Sequence, residues 1–158
     1  MGLDNIPHRY PCAVVGTAIR TLDDDGGQRI DCNATMAADC CPWQTASRDA
    51  GSPTYGMLGV PCWFRGKSGN WMLEELTAIG HTPPGDFYGT KDQEEPGPHL
   101  DPEFCTTLSK WMADHAEVYA SLHRGDDDGG KDAVDGYRYA AWWLGFVARS
   151  AEGSDTWY

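Results

Sequence analysis

Across 158 residues, 24 acidic side chains stand against 12 basic ones, and the resulting net charge of −12 repels phosphate backbones and anionic lipid headgroups. Direct nucleic-acid binding and a membrane role are therefore disfavoured, and the apolar run 140–148 falls far short of the roughly 20 residues a membrane span needs. The length suits one domain, 1–158, with a core of its own.

The opening MGLDNIPHRYP lacks the apolar stretch of a secretion signal, so a cytoplasmic protein is expected. In a reducing compartment the six cysteines read as free thiols or metal ligands before disulfides. AVVGTAIR and RIDCNAT, both extended in character, flank the turn DDDGG at 23–27 and predict a β-hairpin. Cys40-Cys41-Pro42-Trp43 follows, then the loop-like TASRDAGSPT, then YGMLGVPCWF, again extended. The whole of 1–66 is expected to be a cysteine-bearing β-region.

A short helix is predicted over 68–80, capped by Ser68 or Asn70, with Met72, Leu76 and Ile79 on one face beside Leu73. Gly80 and Pro83-Pro84 end it. The Pro- and Gly-rich connection 81–100 is long for a structureless link and reads as a flap or a packed surface loop. Asp101 as cap with Pro102 at the first helical position opens the next helix. Cys105, Leu108, Met112, His115, Tyr119 and Leu122 form one apolar seam, and Val134, Tyr137, Ala141, Leu144 and Ala148 another. The fold class is thus α+β: the β-hairpin region, one short helix, and a C-terminal antiparallel helical hairpin over 101–152. Trp142 and Trp143, about 100° apart on the last helix, are hard to cover with one surface, so that helix is either sandwiched in the core or paired across a homodimer. The tail Trp157-Tyr158 is too apolar for a solvated end.

The cysteines carry the sharpest chemical signal. Pro11-Cys12-x3-Gly16 and Pro61-Cys62-x3-Gly66 share the pattern P-C-x3-G, Cys32 follows the first hairpin strand, and Cys41 lies in C-P-W. Thiolates at Cys12, Cys32, Cys41 and Cys62 would make a closed tetrahedral zinc site, structural because no position remains for water. No C-x2-C pair is present, and the competing reading is four ordinary buried thiols. His8, by its H-x3-C spacing to Cys12, is an alternative fourth ligand, and Cys40 is the spare of its pair. Cys105 and His115 are too far apart along one helix to share an ion and read as core. His81, His99 and His123 read as solvated, His123 suiting a helix C-terminus.

Arg65-Gly66-Lys67-Ser68 resembles the end of a phosphate loop, but the first glycine is replaced by Pro61, which excludes that motif. What remains is a candidate site for one anion formed by Trp63, Arg65, Lys67, Ser68 and Asn70 at a helix start. The competing reading pairs the two cations with local carboxylates. Neither DDDGG, at 23–27 or 126–130, has calcium-loop spacing. No nucleophile or zinc-hydrolase motif occurs.

MGLDNIPHRYPC, the following GTA, IDC-x-AT, CPW, YGMLG, CW-x-RGK-x-GN and the terminal WY resemble a group of small proteins from bacteriophages of actinobacteria. The likeness spreads over much of the chain and is densest through residue 71. It implies a phage-encoded origin, hence the host cytoplasm, and selects Cys41 over Cys40; it implies no activity. The expected function is a non-enzymatic binding protein with a structural zinc, acting on a host protein or a small anionic ligand. The rival readings are a small enzyme with a pocket near Arg65 and Lys67 closed by 81–100, and an acidic DNA mimic. Scattered acidic residues count against the mimic.

Overall fold

A computed structural model describes residues 4–50, 62–90 and 99–157. The chain is an α+β protein in which antiparallel strands and helices share one core. Among the described residues, its main sheet has three strands: β1 (Asp4–Pro7), β7 (Ser154–Trp157) and β6 (His99–Leu100). The last strand in the sequence lies in the middle, with Ile6 opposite Asp155 on one side and His99 opposite Asp155 on the other.

The N-terminal region departs from the expected long hairpin. Among the described residues, the hairpin there is short and pairs β2 (Arg20–Leu22) with β3 (Gln28–Ile30). Their turn is the predicted one: the Asp23 carboxylate accepts the N–H groups of Asp25 and Gly27, and Gly26 takes φ 81°. Around it the chain forms helical turns, namely α1 (Pro11–Val14), α2 (Cys32–Ala37) and α3 (Pro42–Asp49). Capping chemistry overrides β-branched content here. Pro11 and Pro42 occupy first helical positions, and Asp31 caps α2 by accepting the Ala34 N–H at 2.9 Å. The expected extended segment from Tyr55 lies largely outside the described residues.

Helix α4 (Gly66–Ala78) begins two residues before its predicted start. Arg65 is the N-cap residue, without a side-chain cap, and Ser68 and Asn70 fall inside the helix. Asn70 instead accepts the Phe87 N–H at 2.8 Å. Gly80, at φ 96°, follows the helix end as predicted. In the long connection, β4 (Gly85–Asp86) and β5 (Gly89–Thr90) form a tight hairpin. Its tip carries Phe87 into the core, stacked on Phe64 at 5.0 Å between centroids, so this part is packed and not a free flap.

Asp101 caps α5 (Pro102–Asp114) through the Phe104 N–H at 2.8 Å. The expected continuous first arm is divided at His115, which stacks on Trp111 and places its Nδ1 2.8 Å from the Trp111 carbonyl oxygen. Helix α6 (Ala116–Leu122) follows, and α7 (Asp128–Ser150) is the longest element. Contacts between these helices run in opposite senses along the chain: Ser109 donates to the Ala141 carbonyl, Tyr137 donates to the Met112 carbonyl, and Tyr119 stacks on Tyr137. Trp143 is fully buried and Trp142 half-buried on Phe146 and Tyr139, so much of the apolar circumference of α7 is covered within one chain. No helix among the described residues is long and apolar enough to cross a membrane.

Asn5 knits these layers together. Its backbone pairs with Phe64 in both directions, and its side-chain amide donates to the Phe87 carbonyl at 2.8 Å and to Ser154 Oγ at 3.3 Å. The bonds are made through Nδ2, while Oδ1 of the same amide is buried without a hydrogen-bond partner among the described residues.

Candidate functional site

The cysteines come from four separate places in the N-terminal region. Cys12 sits in α1, Cys32 opens α2, Cys41 is the N-cap residue of α3, and Cys62 precedes α4 in a left-handed conformation with φ 69°. Side-chain hydrogen bonds draw the first three turns together. Thr17 Oγ1 donates to the Cys40 carbonyl at 2.6 Å, and the Ile19 N–H donates to Thr35 Oγ1 at 3.0 Å, while α1 packs on α3. The two P-C-x3-G segments are not the matching turns their sequence suggests. In the first the glycine carries the positive φ, whereas in the second Cys62 does and Gly66 is helical.

Cys12, Cys41 and Cys62 are buried and Cys32 is partly buried; all six thiols are free. The four predicted ligands lie close enough to perturb one another. The Cys41 thiol is lowered to about 6 by a hydrogen bond from Cys62, against the opposing effect of burial, with help from the Gln44 and Trp43 N–H groups at the start of α3. Burial pushes Cys62 upward, reinforced by the hydrogen bond to Cys41 and by the charges of Cys41, Cys32 and Cys12. Cys32 is raised to about 11, first by burial and then by Cys12 and Cys41, and Cys12 is raised by burial and by Cys41. The set is looser than a metal-bound one, since no three of these thiols lie within 4.8 Å of one another. Cys40 turns away, its Sγ 3.3 Å from the Ala38 carbonyl oxygen. Cys105 is buried beneath β6 with its Sγ 3.5 Å from the Leu100 carbonyl oxygen.

The residues of the candidate anion site are each engaged separately. Arg65 Nε lies 3.8 Å from Oδ1 of the buried Asp4, and Lys67 Nζ sits over the Trp71 ring at 5.2 Å. Trp63 donates its indole N–H to the Tyr10 hydroxyl at 3.1 Å, Ser68 is half-buried in the first turn of α4, and Asn70 holds Phe87. Asn70 also lines a cleft of about 400 Å³ with Leu73, Glu74, Thr77, Pro83 and Asp86. Neither Arg65 nor Lys67 lines that cleft.

A group that sequence reasoning missed stands on the main sheet. His8 Nδ1 lies 2.9 Å from Asp155 Oδ1 and 3.1 Å from Oδ2, and His99 Nδ1 lies 2.9 Å from the same Oδ1. The two imidazoles contact each other with centroids 4.2 Å apart. His8 is therefore directed to this group and not to Cys12, and His99 is not simply solvated. Among the described residues, this is the group of potential ligands whose donor atoms all lie within 4.8 Å of one another. Positions separated by 147 and 56 residues left no spacing to find.

The chain matches no known protein family, and no curated protein or solved structure shows significant similarity to it.

Proposed function

We propose that this chain is a non-enzymatic binding protein whose N-terminal region is ordered by one structural zinc on Cys12, Cys32, Cys41 and Cys62. The observation that supports the reading is that four thiols from four segments, three of them buried, lie near enough to act on one another's charge, though no three fall within 4.8 Å of one another, in a region whose described regular elements are only three to eight residues long. Elements so short bury little apolar surface, and a tetrahedral thiolate site supplies the order they lack. Thiolates that destabilise one another as bare charges become mutually compatible around a divalent cation, which also draws the loose set inward.

Binding, as distinct from catalysis, is favoured by what the same region shows to solvent. Val14, Val15, Ile19 and Leu22 are 40%, 58%, 38% and 66% exposed, an apolar run suited to a protein partner. In the phage setting that the resemblance implies, that partner is a host protein.

Native mass spectrometry of protein purified without chelator tests the zinc. One bound zinc is expected, lost together with thermal stability in Cys12→Ser, Cys32→Ser, Cys41→Ser or Cys62→Ser and retained in Cys40→Ser and Cys105→Ser. Metal-free protein that melts cooperatively would return the four cysteines to the core.

A further inference from the structure

The His8, His99 and Asp155 group is independent of the cysteines and follows from strand register. Residues directly opposite in an antiparallel pair share a face, and residues two apart along a strand do so as well. Asp155 on the central strand faces His99 across β6, while across β1 it faces Ile6, two residues before His8. The sheet thereby brings three potential ligands from three adjacent chain segments to one side.

Their geometry is that of a divalent metal site before closure. Around a tetrahedral ion with bonds of about 2.0–2.1 Å to nitrogen and oxygen, neighbouring donors lie about 3.3 Å apart. The two nitrogen-to-oxygen separations here are both 2.9 Å, so a few tenths of an ångström of side-chain movement opens the group around a cation. Both rings direct Nδ1 to the same carboxylate oxygen. His8, His99 and Asp155 side chains are 42%, 36% and 32% exposed, which leaves room for water on the remaining coordination positions.

We propose that His8 Nδ1, His99 Nδ1 and the Asp155 carboxylate form an open three-donor site for a first-row divalent transition metal. Imidazole with one carboxylate suits zinc, iron or manganese, and three protein donors with solvent access are the pattern of sites that bind an exchangeable ligand or water. The competing role is a hydrogen-bonded clasp between the histidines and the sheet, with no metal.

Cobalt(II) added to the full chain separates the two. Histidine-selective NMR should show paramagnetic perturbation of the His8 and His99 rings at low cobalt, with His81, His115 and His123 unaffected. With the cysteines already loaded with zinc, the visible spectrum should gain weak bands only; sulfur-to-metal absorption would report cobalt at the cysteines instead, so failure of the zinc reading and failure of this one are distinguishable. His99→Gln and Asp155→Asn should each weaken cobalt binding by at least the ~10–100-fold that loss of an outer hydrogen-bond partner alone costs. If Asp155→Asn disturbs the central strand, His8→Gln removes a donor on the exposed residue that follows β1 and should weaken binding equally. Unperturbed His8 and His99 rings, or parental cobalt affinity in a folded His8→Gln or His99→Gln variant, would overturn the proposal.

Discussion

The indole N–H of Trp143 donates to the backbone carbonyl of Cys62 at 2.9 Å, joining the middle of α7 to a cysteine with positive φ. This bond is fully buried, and it fixes the backbone from which the Cys62 thiol projects toward Cys41. Trp143→Phe removes the donor, leaves a buried acceptor without its partner and opens space beside Phe64, whose ring stacks on the indole at 5.4 Å. A loss of about 2–4 kcal/mol is expected in denaturant unfolding. Faster reaction of Cys62 with a thiol reagent should accompany it, and unchanged stability would show that the bond contributes nothing net.

Two glycines in helices should respond to alanine with opposite signs. A Cβ at Gly69 would collide with the Phe87 ring, which is itself locked in the core, so Gly69→Ala should cost about 1–3 kcal/mol. Gly129, in the first turn of α7, has nothing near its absent Cβ, and Gly129→Ala should stabilise by about 0.4–1 kcal/mol. Thermal melts of the two variants side by side check both signs.

Arg65 and Lys67 should not behave as an interchangeable basic pair. Arg65 faces a carboxylate with no solvent exposure, whereas Lys67 lies over the exposed Trp71 ring. Arg65→Ala should therefore destabilise by on the order of 1 kcal/mol and Lys67→Ala by less than about half that. Anion binding at this turn would appear as ligand-induced stabilisation lost in the double variant; equal stabilisation of variant and parent removes the site.

His123 supplies a pH dependence with a defined sign. Burial works to lower its pKa, but hydrogen bonds and charge from Asp126 and Glu75 outweigh it and raise the value above the ordinary 6.5. Its ring nitrogens lie 2.9 Å from Asp126 and 3.2 Å from Glu75, with the Tyr119 ring 4.7 Å away. The stabilisation is complete below pH 6.5, where both folded and unfolded forms hold the proton, and is lost as pH rises through the higher folded value. His123→Gln should flatten this part of the stability profile. Identical profiles for variant and parent would show that the two carboxylates do not hold the charged ring.

Local chemistry made several elements legible in the sequence. Asp101 and Pro102 announced α5, Gly80 marked the end of α4, and the first DDDGG supplied its hairpin turn. The apolar seams gave the helical segments because burial on one face leaves a three-and-four spacing. The main sheet left no such trace. β1 is DNIP and β6 is two residues long, too short for alternation, and their pairing is decided by packing between distant parts of the chain. The His/Asp group inherits that illegibility because the sheet assembles it. The four cysteines were singled out in the sequence by residue type, whereas the helical starts at Pro11, Asp31 and Pro42 were concealed by the β-branched residues between them.

The order of strands in the main sheet also has a bearing on synthesis. β1 is made before β6, yet neither pairs with the other; both wait for 154–157, which follow the whole of α7. A growing chain can bury the apolar faces of its helices while these two strands still lack a ladder, so the sheet closes after the helical core. Until then His8 and His99 have no Asp155 to meet. Any transient chain stalled in α7 carries β1 and β6 without the strand that pairs them, and chaperone capture or intermolecular pairing would find it at that stage.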